Sequence, residues 1–489
     1  MSASVNNQRG KLDDADLLVS RAYVDGKWAE GAGRPIEVDD PFTLEAIGEV
    51  PDLSQAQVQQ AIDGAARAFP AWARRPARER GAILRRWFDL IVRHREDLAR
   101  IMTRENGKTL KEARGEVDYA AGFMEFYAEE AGRALGEIIP SPLPGRRLSA
   151  EKEPVGVCAA ITPWNFPLAM LTRKVGPALA AGCTMVAKPA ELTPLTALAF
   201  ARLGEEAGVP EGVFSVVTGH AKAIGEVMTA SPIVRKLTFT GSTPVGAFLA
   251  AACAPTMKRL SLELGGNAPL LIFDDADLDI AVETALAAKF RNAGQACIAA
   301  NRIYVQKGIE DRFLAAFRAK VGAIRPGDGF DDATDIGPLI DERAVAKVDA
   351  HREDALKHGA ELLAGGESPG GRISLPTLLA GVRQDSLIVR EETFGPLAGV
   401  IAFDTVEDGV RMANDTPFGL AAYLCSSDPA TIARVGRDLE SGIVGINTGI
   451  VSTPVAPFGG VKMSGLGREG SHHGLNEYLN IKYLCHAGL

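Results

Sequence analysis

Between residues 54 and 134, apolar positions recur every three or four residues: Val58, Ile62, Ala65 and Phe69 form one series, and Ile83, Trp87, Ile91 and Leu98 a second. That spacing predicts amphipathic helices, with Ser54 as an N-cap whose side-chain oxygen accepts a free backbone N–H. After Gly136, the tract EIIPSPLPGRRLSAEKE holds two extended runs around a Pro/Gly turn, which predicts a hairpin projecting from the body. From residue 155 the period changes. VGVCAAI, TMVAK, VFSVV and RKLTFT alternate with helical stretches at 168–180, 195–207, 220–230 and 243–252, the pattern of βαβ units and a parallel sheet. A second series runs from PLLIF through ANRIYV, a long helical stretch at 341–358, AGVIAF, AAYLC and GIVGI. The chain therefore reads as α/β with two lobes, dividing near Gly265-Gly266, while residues 1 to about 15 read as a mobile tail.

The length of 489 residues allows more than one core, and 46% hydrophobic with 24% charged residues is the composition of a globular protein. The net charge of −9 and the absence of a sustained basic stripe argue against nucleic acid or anionic membrane as a partner. The first 14 residues contain no apolar core of a secretory signal. Two uncharged windows, 154–172 and 441–461, are long enough to suggest membrane spans but are broken by Pro, Gly and Asn, so both read as buried strands and turns near a site. Six cysteines (158, 183, 253, 297, 425 and 485) are scattered without a CxxC pair, as expected in a reducing cytoplasm. His472 and His473 lack a spaced third ligand, and His351 and His358 lack an acidic partner pattern, so no metal site is expected.

One GxGxxG occurs, at Gly465, Gly467 and Gly470, but no strand precedes it and no acidic residue can follow at the required distance. FTGSTPVG (239–246) is the better phosphate candidate, because it joins an apolar strand to a helix whose free N–H groups face the loop. In TPWNFP (162–167), prolines restrain the backbone around Asn165, as a preorganised oxyanion donor requires; a turn-satisfying Asn is the plainer reading. KPAE (188–191) ends a strand, where Lys188 and Glu191 could reach ribose hydroxyls or simply be solvated. Glu263 precedes two glycines and could serve as a general base, and Cys297, with small neighbours in GQACIAANR, leaves room for a carbonyl at sulfur. Each residue alone has a bland alternative.

Together with EETFGP (391–396) and PFGGVKMSGLGREG (457–470), these tracts occur in an order that closely resembles the aldehyde dehydrogenase superfamily from about residue 20 onward. The resemblance implies an aldehyde dehydrogenase-like α/β fold: two Rossmann-like domains plus a small β oligomerisation arm. Residues 1–131 and 150–264 would bind NAD, 265–476 would be catalytic, and 132–149 with 477–489 would form the arm. It further implies that Cys297 attacks an aldehyde, that Asn165 and the Cys297 N–H hold the oxyanion while hydride passes to the nicotinamide, and that Glu263 activates water against the thioester. Glu469 matches a carboxylate that relays protons from that base. Lys188, Glu191, Gly241, Ser242 and Gly246 match the adenosine and phosphate side, Glu392 and Phe394 the nicotinamide ribose, and Thr162, Trp164 and Leu264 further cofactor contacts. NAD is the implied cofactor, with NADP possible, and the implied partners are a small aldehyde and copies of the chain in a homodimer or homotetramer.

Within the superfamily, ITPWNFPLAMLTRKVGPALAAGCTMVAKPAE, KFRNAGQ and GREGSHHGLNEYLNIKYLC look most like succinate-semialdehyde dehydrogenases. That likeness implies that Arg173, Arg291 and Ser452 hold a distal carboxylate, whose charge must be paired when desolvated. One departure is Ala299, where many members carry a second cysteine. Glutarate semialdehyde, longer by one methylene, is a rival substrate. A coenzyme A-acylating enzyme is disfavoured by Glu263, and a catalytically silent relative by the presence of Cys297, Asn165 and Glu263 together.

Overall fold

The computed structural model describes residues 10–488. Four helices, Gln55–Arg74, Ala77–Arg93, Arg95–Asn106 and Leu110–Glu130, occupy the region of helical spacing. The first starts at Ser54, whose hydroxyl accepts from the Gln57 N–H while the Gln57 side chain accepts from the Ser54 N–H. The expected second helix breaks at His94 (φ −96°, ψ 23°), so Ile83, Trp87 and Ile91 bury themselves from one helix and Leu98 from the next. Periodicity alone did not show the break because both segments face one core. Residues 1–9 of the expected mobile tail lie outside the described residues. From Gly10 on the chain is held, since the N–H groups of Asp13 and Asp14 donate to the buried Asp97 carboxylate at 2.7 and 3.0 Å.

The first large sheet has five parallel strands in the order Arg259–Glu263, Val234–Thr240, Val157–Ile161, Thr184–Lys188 and Phe214–Val216. Antiparallel edges are added by Gly465–Leu466 on one side and Ala22–Val24 with Lys27–Ala29 on the other. The chain winds outward in both directions from Val157–Ile161, so a topological switch point lies between that strand and Val234–Thr240. Ligands bind at such a point, outside the carboxyl ends of the strands. Alternate residues of the strand Val157–Ile161 enter opposite cores: Cys158 and Ala160 pack with the helices of residues 77–130, Val157 and Ala159 with Val58, Ile62, Leu237 and Leu249.

The second sheet, mostly parallel, orders Glu361–Ala364, Thr377–Ala380, Leu397–Phe403, Ala300–Gln306, Ala268–Ile272, Ala421–Cys425 and Ile443–Ile446. The chain leaves the first sheet at Glu263 and enters the second at Ala268, through Gly265-Gly266. The predicted hairpin is present as Glu137–Ile139 and Arg146–Pro154, and it gains a third strand, Leu479–Ala487, paired along the whole middle strand. GxGxxG holds no nucleotide-type turn: Gly465–Leu466 is the edge strand beside Leu262 and Glu263. Window 154–172 is largely buried, but 441–461 is not: its strand Ile443–Ile446 lies at the edge of the second sheet, and Ile450 and Val455, at 67% and 65% exposure, lie in the irregular segment that follows. Among the described residues no helix is long and apolar enough to cross a membrane.

Candidate active site

In-register pairing brings Ile161, Lys188, Phe239 and Leu262 to the same level of the sheet, so the loops that follow converge on one edge. TPWNFP and GSTPVG thus flank the switch point. Between the two sheets opens a cleft of about 540 Å³, lined by Trp164, Asn165, Gly241, Ser242, Glu263, Leu264, Cys297, Glu392 and Phe394 among others. Trp164 and Phe394 meet edge to face across it, ring centroids 5.5 Å apart. Thr162, Lys188, Glu191 and Gly246 lie outside that lining. Lys188 is buried and pairs with Glu191 at 2.8 Å, while Glu191 also accepts from the Ala221 N–H at 2.6 Å, at the start of helix Ala221–Ala230. Burial opposes the Glu191 charge, but Lys188 and the N–H donors outweigh it and hold the carboxyl below its ordinary range. The Thr162 N–H donates to the Lys188 carbonyl, and its buried hydroxyl has no partner. Gly246 lies against the side chain of Leu264. Glu392 accepts from the Gly266 N–H at 3.2 Å, and burial pushes its carboxyl up to about 7.

Cys297 stands between this cleft and a second, smaller pocket lined by Tyr119, Phe166, Arg173, Arg291, Ser452 and Phe458. Gly266 passes directly over it: a Cβ there would come within 2.4 Å of the Cys297 carbonyl oxygen, so only glycine lets the two segments meet. Before Cys297 the chain makes a left-handed turn at Asn292, Ala293 and Gly294 (φ 53°, 54° and 74°), a conformation costing the alanine roughly 1–2 kcal/mol. Burial pushes the Cys297 thiol up to about 12; Arg173 opposes this, and Glu392 and Glu263 reinforce it.

Glu263 is 3% exposed, and neither carboxyl oxygen has a hydrogen-bond partner. Burial first, and then the neighbouring Glu469, raise its pKa well above the ordinary carboxylate value. Gly459 abuts it: a Cβ there would lie 2.9 Å from Glu263 Oε1 and 2.7 Å from the Gly467 carbonyl oxygen. Glu469 has the opposite character. Burial works against its charge, but Lys174 at 2.5 Å and Arg173 at 2.7 Å hold it ionised. Lys174 also donates to the Thr240 hydroxyl at 2.5 Å. Two buried carboxyls with pKa values driven apart are the arrangement of a proton acceptor beside a fixed charge.

Asn165 Nδ2 donates to the Gln295 carbonyl at 3.0 Å, which leaves the second N–H of the amide without a partner among the described residues, and Asn165 and Cys297 line the same cleft. The Asn165 main-chain carbonyl accepts from Lys108 Nζ at 2.7 Å and Asn292 Nδ2 at 3.0 Å, while its side-chain Oδ1 is buried without a partner. The two arginines differ. Arg173 is committed to Glu469 and stacks 4.0 Å from the Phe458 ring centroid, though its Nη2 is buried without a partner. Arg291 lies 5.0 Å over the Phe166 ring, and among the described residues no carboxylate pairs with it. Sequence reading missed Tyr119, whose buried hydroxyl shares the pocket with Arg291 and Ser452. Its helical spacing marked it only as a residue of an amphipathic segment. Among the described residues no cluster of three or more His, Cys, Asp or Glu is arranged to hold a metal ion.

The chain matches the model of the aldehyde dehydrogenase family over residues 28–484. It is 54% identical to succinate-semialdehyde dehydrogenase [NADP(+)] GabD of Escherichia coli (strain K12), covering 97% of this chain and 99% of that protein. It is also 54% identical to a glutarate-semialdehyde dehydrogenase of Pseudomonas aeruginosa, covering 98% of this chain and 100% of that protein. A solved aldehyde dehydrogenase from Brucella melitensis biovar abortus 2308 superposes with a TM-score of 0.97 at 56% identity, over 97% of this chain and 99% of that one.

Proposed function

Because the chain belongs to the aldehyde dehydrogenase family, being an NAD(P)-dependent oxidoreductase of aldehydes, we propose that its substrate is an aldehyde with a distal carboxylate, foremost succinate semialdehyde. The observation that carries this reading is the placement of Cys297 between the large cleft and a pocket holding an unpaired guanidinium, Arg291, with the hydroxyls of Ser452 and Tyr119. A desolvated carboxylate needs a counter-charge and donors for its lone pairs, and these groups supply both. The two semialdehyde dehydrogenase relatives support it, since the substrates in their names each carry a carboxylate remote from the aldehyde.

In this reading Cys297 releases its thiol proton to water in the open cleft, Sγ forms the bond to the aldehyde carbon as the carbonyl π bond opens, and the Asn165 side-chain N–H stabilises the resulting oxyanion. Glu263 accepts the proton of the water that cleaves the thioester, with the Glu469–Lys174 pair next in line. The residues present fit a dinucleotide: an open cleft at the switch point, the N-terminus of helix Thr243–Cys253 at its wall, and carboxylates for ribose hydroxyls. Gly241, Ser242 and Gly246 would hold the phosphates, Lys188 and Glu191 the adenosine ribose, and Glu392 and Phe394 the nicotinamide ribose. Thr162, Trp164 and Leu264 complete the wall. Bound there, the cofactor supplies the oxidant.

We assign residues 1–131 and 150–264 to cofactor binding, 265–476 to catalysis, and 132–149 with 477–489 to an arm that joins subunits as a dimer or tetramer. Exposed Ile138, Leu143, Ile481 and Tyr483 on that arm support the last point. Free cysteines throughout are in keeping with a cytoplasmic setting.

NADH formation from succinate semialdehyde, glutarate semialdehyde and butanal tests the substrate. A charge-assisted hydrogen bond is worth ~1.5–3 kcal/mol, so a carboxylated aldehyde should exceed butanal at least about tenfold in kcat/KM. Preference for butanal would refute the pocket. Glutarate semialdehyde ahead of succinate semialdehyde would move the assignment by one methylene, a difference of ~1–3 kcal/mol.

Glu191 bears on cofactor choice. A carboxylate ~4 Å from a 2′-phosphate is repelled by ~4 kcal/mol per charge pair at an effective dielectric of 20. Lys188 and solvent offset part of this, and NAD should still win at least about tenfold in kcat/KM, unlike the NADP(+) preference in the name of the Escherichia coli relative. Glu191→Gln should narrow the gap, and equal wild-type efficiencies would show that the loop avoids the clash.

A further inference from the structure

Outside the reacting groups lies one buried ion pair that the chemistry above does not use. Lys108 and Glu116, 2% and 1% exposed, meet at 2.6 Å. Lys108 Nζ also donates to the Asn165 carbonyl at 2.7 Å and sits 4.2 Å from the Phe166 ring centroid. The other oxygen of Glu116 accepts from the N–H groups of Leu168 and Ala169 at 3.0 and 3.1 Å, where helix Ala169–Ala181 begins. One pair of charges thus grips the five residues Asn165 to Ala169 at both ends.

The same helix that carries Glu116, Leu110–Glu130, reaches the nucleophile's side of the site. Thr109 caps it, and Glu112 both completes that cap and accepts from the Asn292 N–H at 2.6 Å. The Asn292 side chain then donates to the Asn165 carbonyl at 3.0 Å and to the Gln295 carbonyl at 3.3 Å. Asn165 comes from a loop of the first sheet, whereas residues 292–297 lead into the second. Both are tied to one helix.

From this geometry we propose that Lys108, locked by Glu116, is a positioning residue that holds the Asn165 main chain so that its side-chain amide points at the oxygen of the carbonyl attacked by Cys297. A buried ion pair is weak ground for stability, since apolar residues of similar volume often do as well or better. What an apolar pair lacks is the ability to donate to the Asn165 carbonyl while accepting from two helix N–H groups. An oxyanion donor acts only at the correct distance, and a displacement of ~1 Å can cost about a hundredfold in rate.

The proposal rests on Asn165 being the oxyanion donor, and a double-mutant cycle separates the two claims. Lys108→Met alone leaves Glu116 unpaired and risks unfolding, so the charge-balanced Lys108→Met/Glu116→Gln is the main variant, with Glu116→Gln alone as the second and thermal melting as the check on each. First-turnover NADH formation under rapid mixing should fall roughly 10- to 100-fold in the charge-balanced variant, equally for succinate semialdehyde and butanal, with NAD affinity unchanged. Acylation of Cys297 by p-nitrophenyl acetate without dinucleotide should fall by a similar factor, because it uses the oxyanion donor but no cofactor. In an Asn165→Ala background the same substitutions should cost nothing further. A loss that multiplies with that of Asn165→Ala, or no loss where Asn165→Ala is slow, would overturn the clamp. If Asn165→Ala itself is fully active, the oxyanion assignment falls, and the clamp with it.

Discussion

Glu263→Gln should release one NADH per active site in a burst and then turn over about a hundredfold to ten-thousandfold more slowly than the wild type, the usual range for loss of a general base. Glutamine keeps the shape of the buried side chain but takes no proton from water, so Cys297 acylates and the thioester then persists. Rapid mixing separates the phases. If the first turnover slows as much as the steady state and no burst appears, Glu263 acts at or before the oxidation step. The wild-type pH profile carries the same signature. Burial and the adjacent Glu469 raise the Glu263 pKa, so turnover limited by deacylation should climb with pH as that carboxyl ionises. The Cys297 thiol, at about 12, titrates well above neutrality. Glu263→Gln should remove the rise, and an unchanged profile would assign it to another group.

Arg291→Ala should lower kcat/KM for succinate semialdehyde by about 30-fold to several thousandfold while changing butanal turnover little. Removing the counter-charge of a desolvated carboxylate costs ~2–5 kcal/mol, and butanal has no carboxylate to strand. Arg173→Ala should behave differently. Its guanidinium is 2.7 Å from Glu469, so its loss leaves that carboxylate with Lys174 alone and disturbs the proton acceptor next to it. Both aldehydes should slow. Sequence matching treats the two arginines alike, and only the ion pair tells them apart. An equal loss for butanal in Arg291→Ala would remove that residue from the carboxylate pocket and leave the broader aldehyde chemistry standing.

Strand and helix periods in residues 155–305 were legible because a parallel sheet buried on both faces writes continuous apolar runs, and the helices between them carry one apolar stripe. The short strands Ala22–Val24, Lys27–Ala29, Ile36–Asp39 and Ala46–Val50 left no comparable pattern; runs of three to five residues are too few for alternation to stand out. The C-terminal third strand of the arm could not be read from period, since its partner lies more than 300 positions away; only the family resemblance placed residues 477–489 in the arm.

The sequence by itself determined the α/β class, the alternation of elements that sets the switch point, and the tracts from which Cys297, Glu263 and Asn165 were picked. The class and the alternation follow from local period, which the chain carries at every position, whereas the three site residues stand out only through the ordered resemblance of their tracts to the aldehyde dehydrogenase family. Tertiary structure alone decided the surroundings of each group: that Glu263 is buried with neither oxygen hydrogen-bonded while Glu469 is held between Arg173 and Lys174, and that Arg291 and Tyr119 line one pocket, where among the described residues no carboxylate pairs with Arg291. Desolvation and Coulomb attraction act across a few ångströms of space, and the residues they couple here, Lys174 with Glu469 or Lys108 with Asn165, lie 295 and 57 positions apart in the chain.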